Sequence, residues 1–150
     1  MKKVIILILA GILFLSLACS KKITGNEKNN AESEQATNLY ETIWILKKIN
    51  TKIIQVEVGK KAVSLSIDKE SGNVNGYAGC NRYFGKFEKK KETITFSQMG
   101  ATKMMCPSEI MNIEDSFLKA LNKVDNYLIN ENELLLRKGE NVLLTFVAVH

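Results

Sequence analysis

Histidine is almost absent from this chain: the one copy, His150, is the last of its 150 residues. A folded domain therefore has no imidazole to use, which excludes His-based nucleophilic triads, His metal clusters and imidazole general bases. Phosphate and dinucleotide loops are missing too. Gly59-Lys60-Lys61 lacks the upstream glycine and the following hydroxyl of a phosphate loop, and Gly76-Tyr77-Ala78-Gly79 has neither the spacing nor the strand-to-helix context of a dinucleotide fingerprint. Glu114 and Asp115 are neighbours in a helical pattern and point in different directions, so they read as solvated helix charges and not as an acid/base pair. The dense basic run Lys86–Lys91 is broken by Phe87 and Glu88 and reads as a solvated hairpin loop. A nucleic-acid binder would instead interleave aromatics with a concentrated basic element, so no nucleic-acid partner is expected. No internal repeat stands out. The expectation is a non-enzymatic protein without metal or cofactor.

What the chain does carry begins at its start. Lys2 and Lys3 precede an apolar run, Val4 to Ala18, that is too short and too early for a spanning helix and ends in small residues at Cys19. Residues 1–18 read as a secretory signal, and Ser16-Leu17-Ala18-Cys19 looks like a bacterial lipobox whose Cys becomes the lipidated first residue. Ser16 and Leu17 stand where lipoboxes usually carry Leu and a small residue. The alternatives are an ordinary signal cut near Ala18 or an uncleaved anchor. Residues 19–38 contain one strongly apolar side chain, Ile23, and form a polar tether that as a coil spans about 25 Å. Ser20 follows Cys19 in place of the Asp that commonly retains lipoproteins at the inner membrane, which favours the outer membrane in a host with two. Without Lys2 and Lys3 the chain has 19 basic and 16 acidic residues, about +3, an ordinary soluble surface.

Residues 39–150 are one domain's worth of sequence. Val63-Ser64-Leu65-Ser66-Ile67 alternates strictly and predicts a half-buried strand, closed by the turn Asp68–Asn73. Thr93–Phe96 repeats the pattern. Looser versions occur at Trp44–Ile49, Ile53–Val58, Tyr83–Phe87, Tyr127–Ile129, Leu134–Leu136 and Val142–Val147, with hairpin turns at Asn130–Glu133 and Lys138–Asn141. One segment changes period. Ile110, Ile113, Phe117 and Leu121 recur at helical spacing and predict an amphipathic helix of about four turns, with Pro107 in its first turn. Many short strands, one helix and more strands make an α+β, β-rich domain: an antiparallel sheet curled round one helix. Its core is expected to hold Trp44, Leu65, Ile67, Phe96, Phe117, Leu121, Leu128, Leu136 and Phe146.

Two blocks stand out within this frame: Gly76-Tyr77-Ala78-Gly79-Cys80-Asn81-Arg82-Tyr83-Phe84-Gly85, and Met99-Gly100-Ala101-Thr102-Lys103-Met104-Met105-Cys106-Pro107. With the leading Trp44 and the later helix they resemble the signature of the META domain, the HslJ-like family. The resemblance implies a small open antiparallel β-barrel with one packed helix, in a small envelope protein linked to stress tolerance, secretion or motility. With Cys19 committed to lipid, the exported part holds an even number of cysteines, Cys80 and Cys106, one in each block, and they read as a disulfide closing a loop of about 27 residues. Two separate reduced thiols are the alternative. Met99, Met104, Met105 and Cys106 are soft ligands of the kind that suit Cu(I), but no His or second clustered Cys completes a set, and methionines between a strand and a helix more often fill a core. Gly79 and Asn81 suit a chain reversal. A structural corner is one reading of the signature; the other is a surface on which Asn81, Arg82, Thr102 and Lys103 bind an anion or a protein partner. The leading expectation for the whole is a lipid-anchored envelope protein that binds another envelope or secreted protein. The alternative is a carrier of a lipid or other apolar ligand, held between sheet and helix.

Overall fold

The computed structural model describes residues 37–55 and 60–149; the signal sequence, Cys19 and nearly all of the tether lie outside them. Nine strands and one helix follow in the order β1 (Ile43–Ile49), β2 (Lys52–Ile53), β3 (Ser64–Asp68), β4 (Asn73–Tyr77), β5 (Arg82–Lys90), β6 (Thr93–Ala101), α1 (Ser108–Leu121), β7 (Asn126–Asn130), β8 (Glu133–Lys138) and β9 (Asn141–Val149). The domain is β-rich α+β. All nine strands join one antiparallel sheet in the order β2-β1-β3-β4-β5-β6-β7-β8-β9, and β1 also pairs with β9. That last pairing, from Ile43↔Val149 to Ile49↔Leu144, brings the two ends of the domain together and turns the sheet into a ring. Its thinnest join is β6 to β7, where Thr93↔Asn126 is the one registered pair. Between these strands the chain leaves the sheet after Ala101, forms α1 and returns at Asn126.

Period-2 patterning explains the strands. Leu65 and Ile67 on β3, Ile94 and Phe96 on β6, and Leu134 and Leu136 on β8 all point inward. Lys86–Lys90 is not the predicted loop. It completes β5, with exposed Lys86, Glu88 and Lys90 alternating with Phe87 and Lys89, and the reversal comes one step later at Lys91, which has φ 56°. Phe87 packs against the core and Lys89 lies over the Tyr127 ring, so a charged run serves as a strand by burying every second side chain or its stem. Of the strand predicted over Ile53–Val58, β2 holds Ile53 with Lys52, Ile54 and Gln55 are not strand, and residues 56–58 lie outside the described residues. Leu128, expected in the core, is 45% exposed because β7 turns Tyr127 and Ile129 inward instead. Thr37 and Asn38 belong to the fold and not to the tether: the Thr37 hydroxyl donates to Asn132, and the Asn38 carbonyl accepts from the Thr42 hydroxyl.

The helix fills the ring. Phe117 stands between Tyr83 of β5 and Phe146 of β9, at ring-centroid distances of 5.3 and 6.3 Å, both edge-on. Each such pair adds about 0.5–1.5 kcal/mol to the burial term. Trp44 is fully buried at the same level, and its indole N–H donates to the Leu39 carbonyl at 3.1 Å. Pro107 lies just before the helix at the N-cap position, with no side-chain cap bond.

Candidate functional site: the disulfide-clamped corner

The two signature blocks meet at one corner of the ring. Tyr83 shapes the approach to it. Its ring passes over Gly76, where a Cβ would lie 2.0 Å from the Ser64 carbonyl oxygen, and its hydroxyl donates to that same carbonyl at 2.9 Å. Burial pushes the Tyr83 phenol well above its ordinary value of 10.0. Beyond β4 the chain reverses tightly, the Ala78 N–H donating to the Asn81 carbonyl at 2.8 Å, and Gly79 adopts φ +126°. That conformation favours glycine, and the position faces Ile110 of α1.

Glu114 organises the corner. Only 5% exposed, it accepts from the Cys80 and Asn81 backbone N–H groups at 3.1 and 2.7 Å on Oε2, and from the Asn81 side-chain amide at 2.8 Å on Oε1. Asn81, 2% exposed, uses its other face on the second block. Its Oδ1 accepts from the Met104 N–H at 2.7 Å and the Thr102 hydroxyl at 2.8 Å, and its Nδ2 donates to the Met104 carbonyl at 3.3 Å. The Thr102 hydroxyl in turn accepts from the Arg82 N–H at 3.2 Å. Cys80 and Cys106 are joined as a disulfide with Cα atoms 6.0 Å apart. One carboxylate, one amide and one covalent bond thus tie together the β4–β5 turn, the segment before α1, and α1 itself. No buried side-chain polar atom among the described residues lacks a partner.

Of the predicted surface residues, Arg82, Thr102 and Lys103 are exposed and adjacent, the Thr102 N–H donating to the Arg82 carbonyl at 3.0 Å. Asn81 is not part of that surface. Its hydrogen-bonding groups are used inward, which makes it the structural half of the motif. Glu114, expected as a solvated helix charge, is instead a buried member of the site. It falls on the Ile110–Phe117–Leu121 stripe, and a carboxylate inside an apolar helical stripe is the signal that marks it. The methionines also depart from expectation. Met99 packs against the core, whereas Met104 is 56% and Met105 98% exposed, because Asn81 holds both backbone polar groups of Met104 and leaves the side chains of this stretch outside.

Two depressions border the corner. One, about 270 Å³, lies where the start of α1 meets the approach to β3; the other, about 430 Å³, runs over the outer face of β1, β3 and β4 and reaches Arg82.

A ring-shaped antiparallel sheet filled by one helix, with a Cys-Asn turn clamped to the segment before that helix, defines a small β-rich domain class, and the sequence comparison agrees with it. The META domain matches residues 37–150, and the chain belongs to that family. A protein from Burkholderia xenovorans, solved by NMR, is 22% identical with a TM-score of 0.62, covering 90% of this chain and 99% of its own. A second protein solved by NMR is 20% identical with a TM-score of 0.56, over 71% of this chain and 87% of its own. At these identities the likeness is one of fold. No curated protein matches the chain.

Proposed function

We propose that this is a non-enzymatic, lipid-anchored protein of the cell envelope, held through Cys19, whose META domain docks an envelope or secreted protein at the corner. In this reading the ring is a small barrel that opens between β6 and β7, and α1 is its plug. The observation that carries the proposal is the contrast within three consecutive residues: Asn81 pins the backbone of Met104 from inside, while the side chains of Lys103, Met104 and Met105 stand outside, next to Thr102, which bonds Arg82. A fixed backbone has little of its own entropy left to lose on binding, and thioethers adapt to apolar partner surfaces. The carrier reading has less support, since Trp44, Tyr83, Phe117 and Phe146 occupy the interior in which a ligand would sit.

A photo-reactive methionine analogue at Met105, activated in intact cells, should capture a discrete protein. Replacing Arg82 and Lys103 together by Ala should weaken that capture while leaving the melting temperature nearly unchanged. A capture loss that merely tracks unfolding means that the motif is a structural corner and nothing more. The anchor has its own check: Cys19→Ala should release a soluble or unprocessed form, and unchanged mass and membrane fractionation would contradict lipidation.

A further inference from the structure

The two depressions beside the corner adjoin each other, because Lys61 and Tyr77 line both. Lys61 places its ammonium 5.0 Å from the centroid of the Tyr77 ring, so the ridge between them is an anchored cation on an aromatic face. On one side the cleft is apolar, walled by Ile54, Val63, Ile110 and Ile113. On the other the groove is mixed: Ile43 and Ile45 line it together with Ser64, Ser66 and Asn75, and Arg82 stands at its far rim. Among the described residues that line them, the charged side chains are Glu109 and the cations Lys60, Lys61 and Arg82.

The sheet register sets the scale. Ser64 pairs with Tyr77, and Tyr77 with Arg82, so the groove from Ser64 to Arg82 crosses two strand spacings, about 10 Å. An extended chain covers that distance in about three residues. We propose that this trough docks an extended segment of the protein partner in which one apolar side chain enters the cleft and carboxylates follow within about four residues. The inference rests on the protein-docking reading above and names the chemistry of that partner. Burial of the apolar anchor supplies affinity, while Lys61 meets the first carboxylate as a point charge and Arg82 the later one through its planar fork. The Arg82 backbone is already held by Thr102, so the fork starts from a fixed base. Ser66 and Asn75 offer hydrogen-bond partners to a peptide backbone, and the vesicle competition below separates a protein segment from a lipid surface.

Random decapeptides displayed on phage and selected on the full chain in detergent micelles test this. Enriched peptides should share an aliphatic or aromatic residue followed within four positions by Asp or Glu. A synthetic copy of one should lose at least about tenfold in affinity when its apolar anchor becomes Ala, and again when the protein carries Arg82→Glu or Lys61→Glu, both surface changes whose folding is checked by thermal melts. No enrichment, enrichment without the apolar–acidic pattern, or affinity indifferent to Arg82→Glu overturns the inference. So does displacement of the peptide by vesicles of one part phosphatidylglycerol to three parts phosphatidylcholine if they bind through Arg82 and Lys61, since the trough would then be a membrane contact. Discrete protein capture at Met105 alongside a failed selection would leave the docking reading standing and this inference refuted.

Discussion

The corner and the β7–β9 hairpins solve the same problem, turning the chain at the edge of a sheet, by opposite means. At the corner the turn is held from a distance: Glu114 lies 33 to 34 residues from the groups it binds, Asn81 reaches 21 to 23 residues to the second block, and the disulfide spans 26. In the hairpins the solution is local. Glu131 and Gly139 supply positive φ, and a half-exposed set closes the base of the second turn: Asp125 accepts from the Gly139 N–H at 2.9 Å, and Asn126 accepts from Arg137 Nε at 2.7 Å. Local turns need only their own residues and tolerate change. A corner built from separate parts of the chain is costly to disturb, and it holds a surface stretch, Thr102 to Met105, in one conformation.

The largest effect should come from Glu114→Ala. It would strand three buried N–H donors and lower stability by about 3–5 kcal/mol in chemical denaturation. A loss under about 1 kcal/mol would erase the distinction between the two regions. Replacing Cys80 and Cys106 together by Ser comes next, at about 3–4 kcal/mol for a closed loop of this length, and the melting temperature should fall on reduction of the native chain as well. Asn126→Ala, the hairpin counterpart, removes bonds that water can replace and should cost no more than about 1 kcal/mol. The smallest effect sharpens the contrast at alkaline pH. Because burial raises the folded Tyr83 pKa, the unfolded chain loses that proton first, so this contribution to stability is intact below pH 10.0 and erodes as pH rises from there towards the folded value. Tyr83→Phe should flatten that decline in a pH series of melts.

Much of the fold is legible in local sequence, and the limits follow from which interactions are local. Alternation at Val63–Ile67 and helical spacing at Ile110–Leu121 carry their own period, so β3 and α1 stand where the pattern puts them. The hairpin turns at Glu131 and Gly139 are legible for the same reason. Closure of the ring is not, since pairing Ile43 with Val149 leaves no trace in any short window. Tyr127-Leu128-Ile129 is apolar at every position, so its phase is ambiguous until β8 and the core choose it. At the corner, the paired cysteines and the reversal at Gly79 were readable from composition and turn chemistry. The inward commitment of Asn81 is not, because it depends on a carboxylate 33 residues away, nor is the exposure of Met105, because it depends on Asn81 holding the neighbouring Met104 from 23 residues away.

The central claim is that Glu114 organises the signature corner, and amide hydrogen exchange of the full chain tests it most directly. The Cys80, Asn81 and Met104 amides lie outside helix and strand yet should exchange as slowly as amides within β8 and β9, because each donates to a buried acceptor. In Glu114→Gln, whose side-chain amide cannot accept as the carboxylate does, these three should accelerate at least about tenfold while the β8 and β9 amides keep their rates. Fast exchange at all three in the native chain, or no change on substitution, would contradict the account.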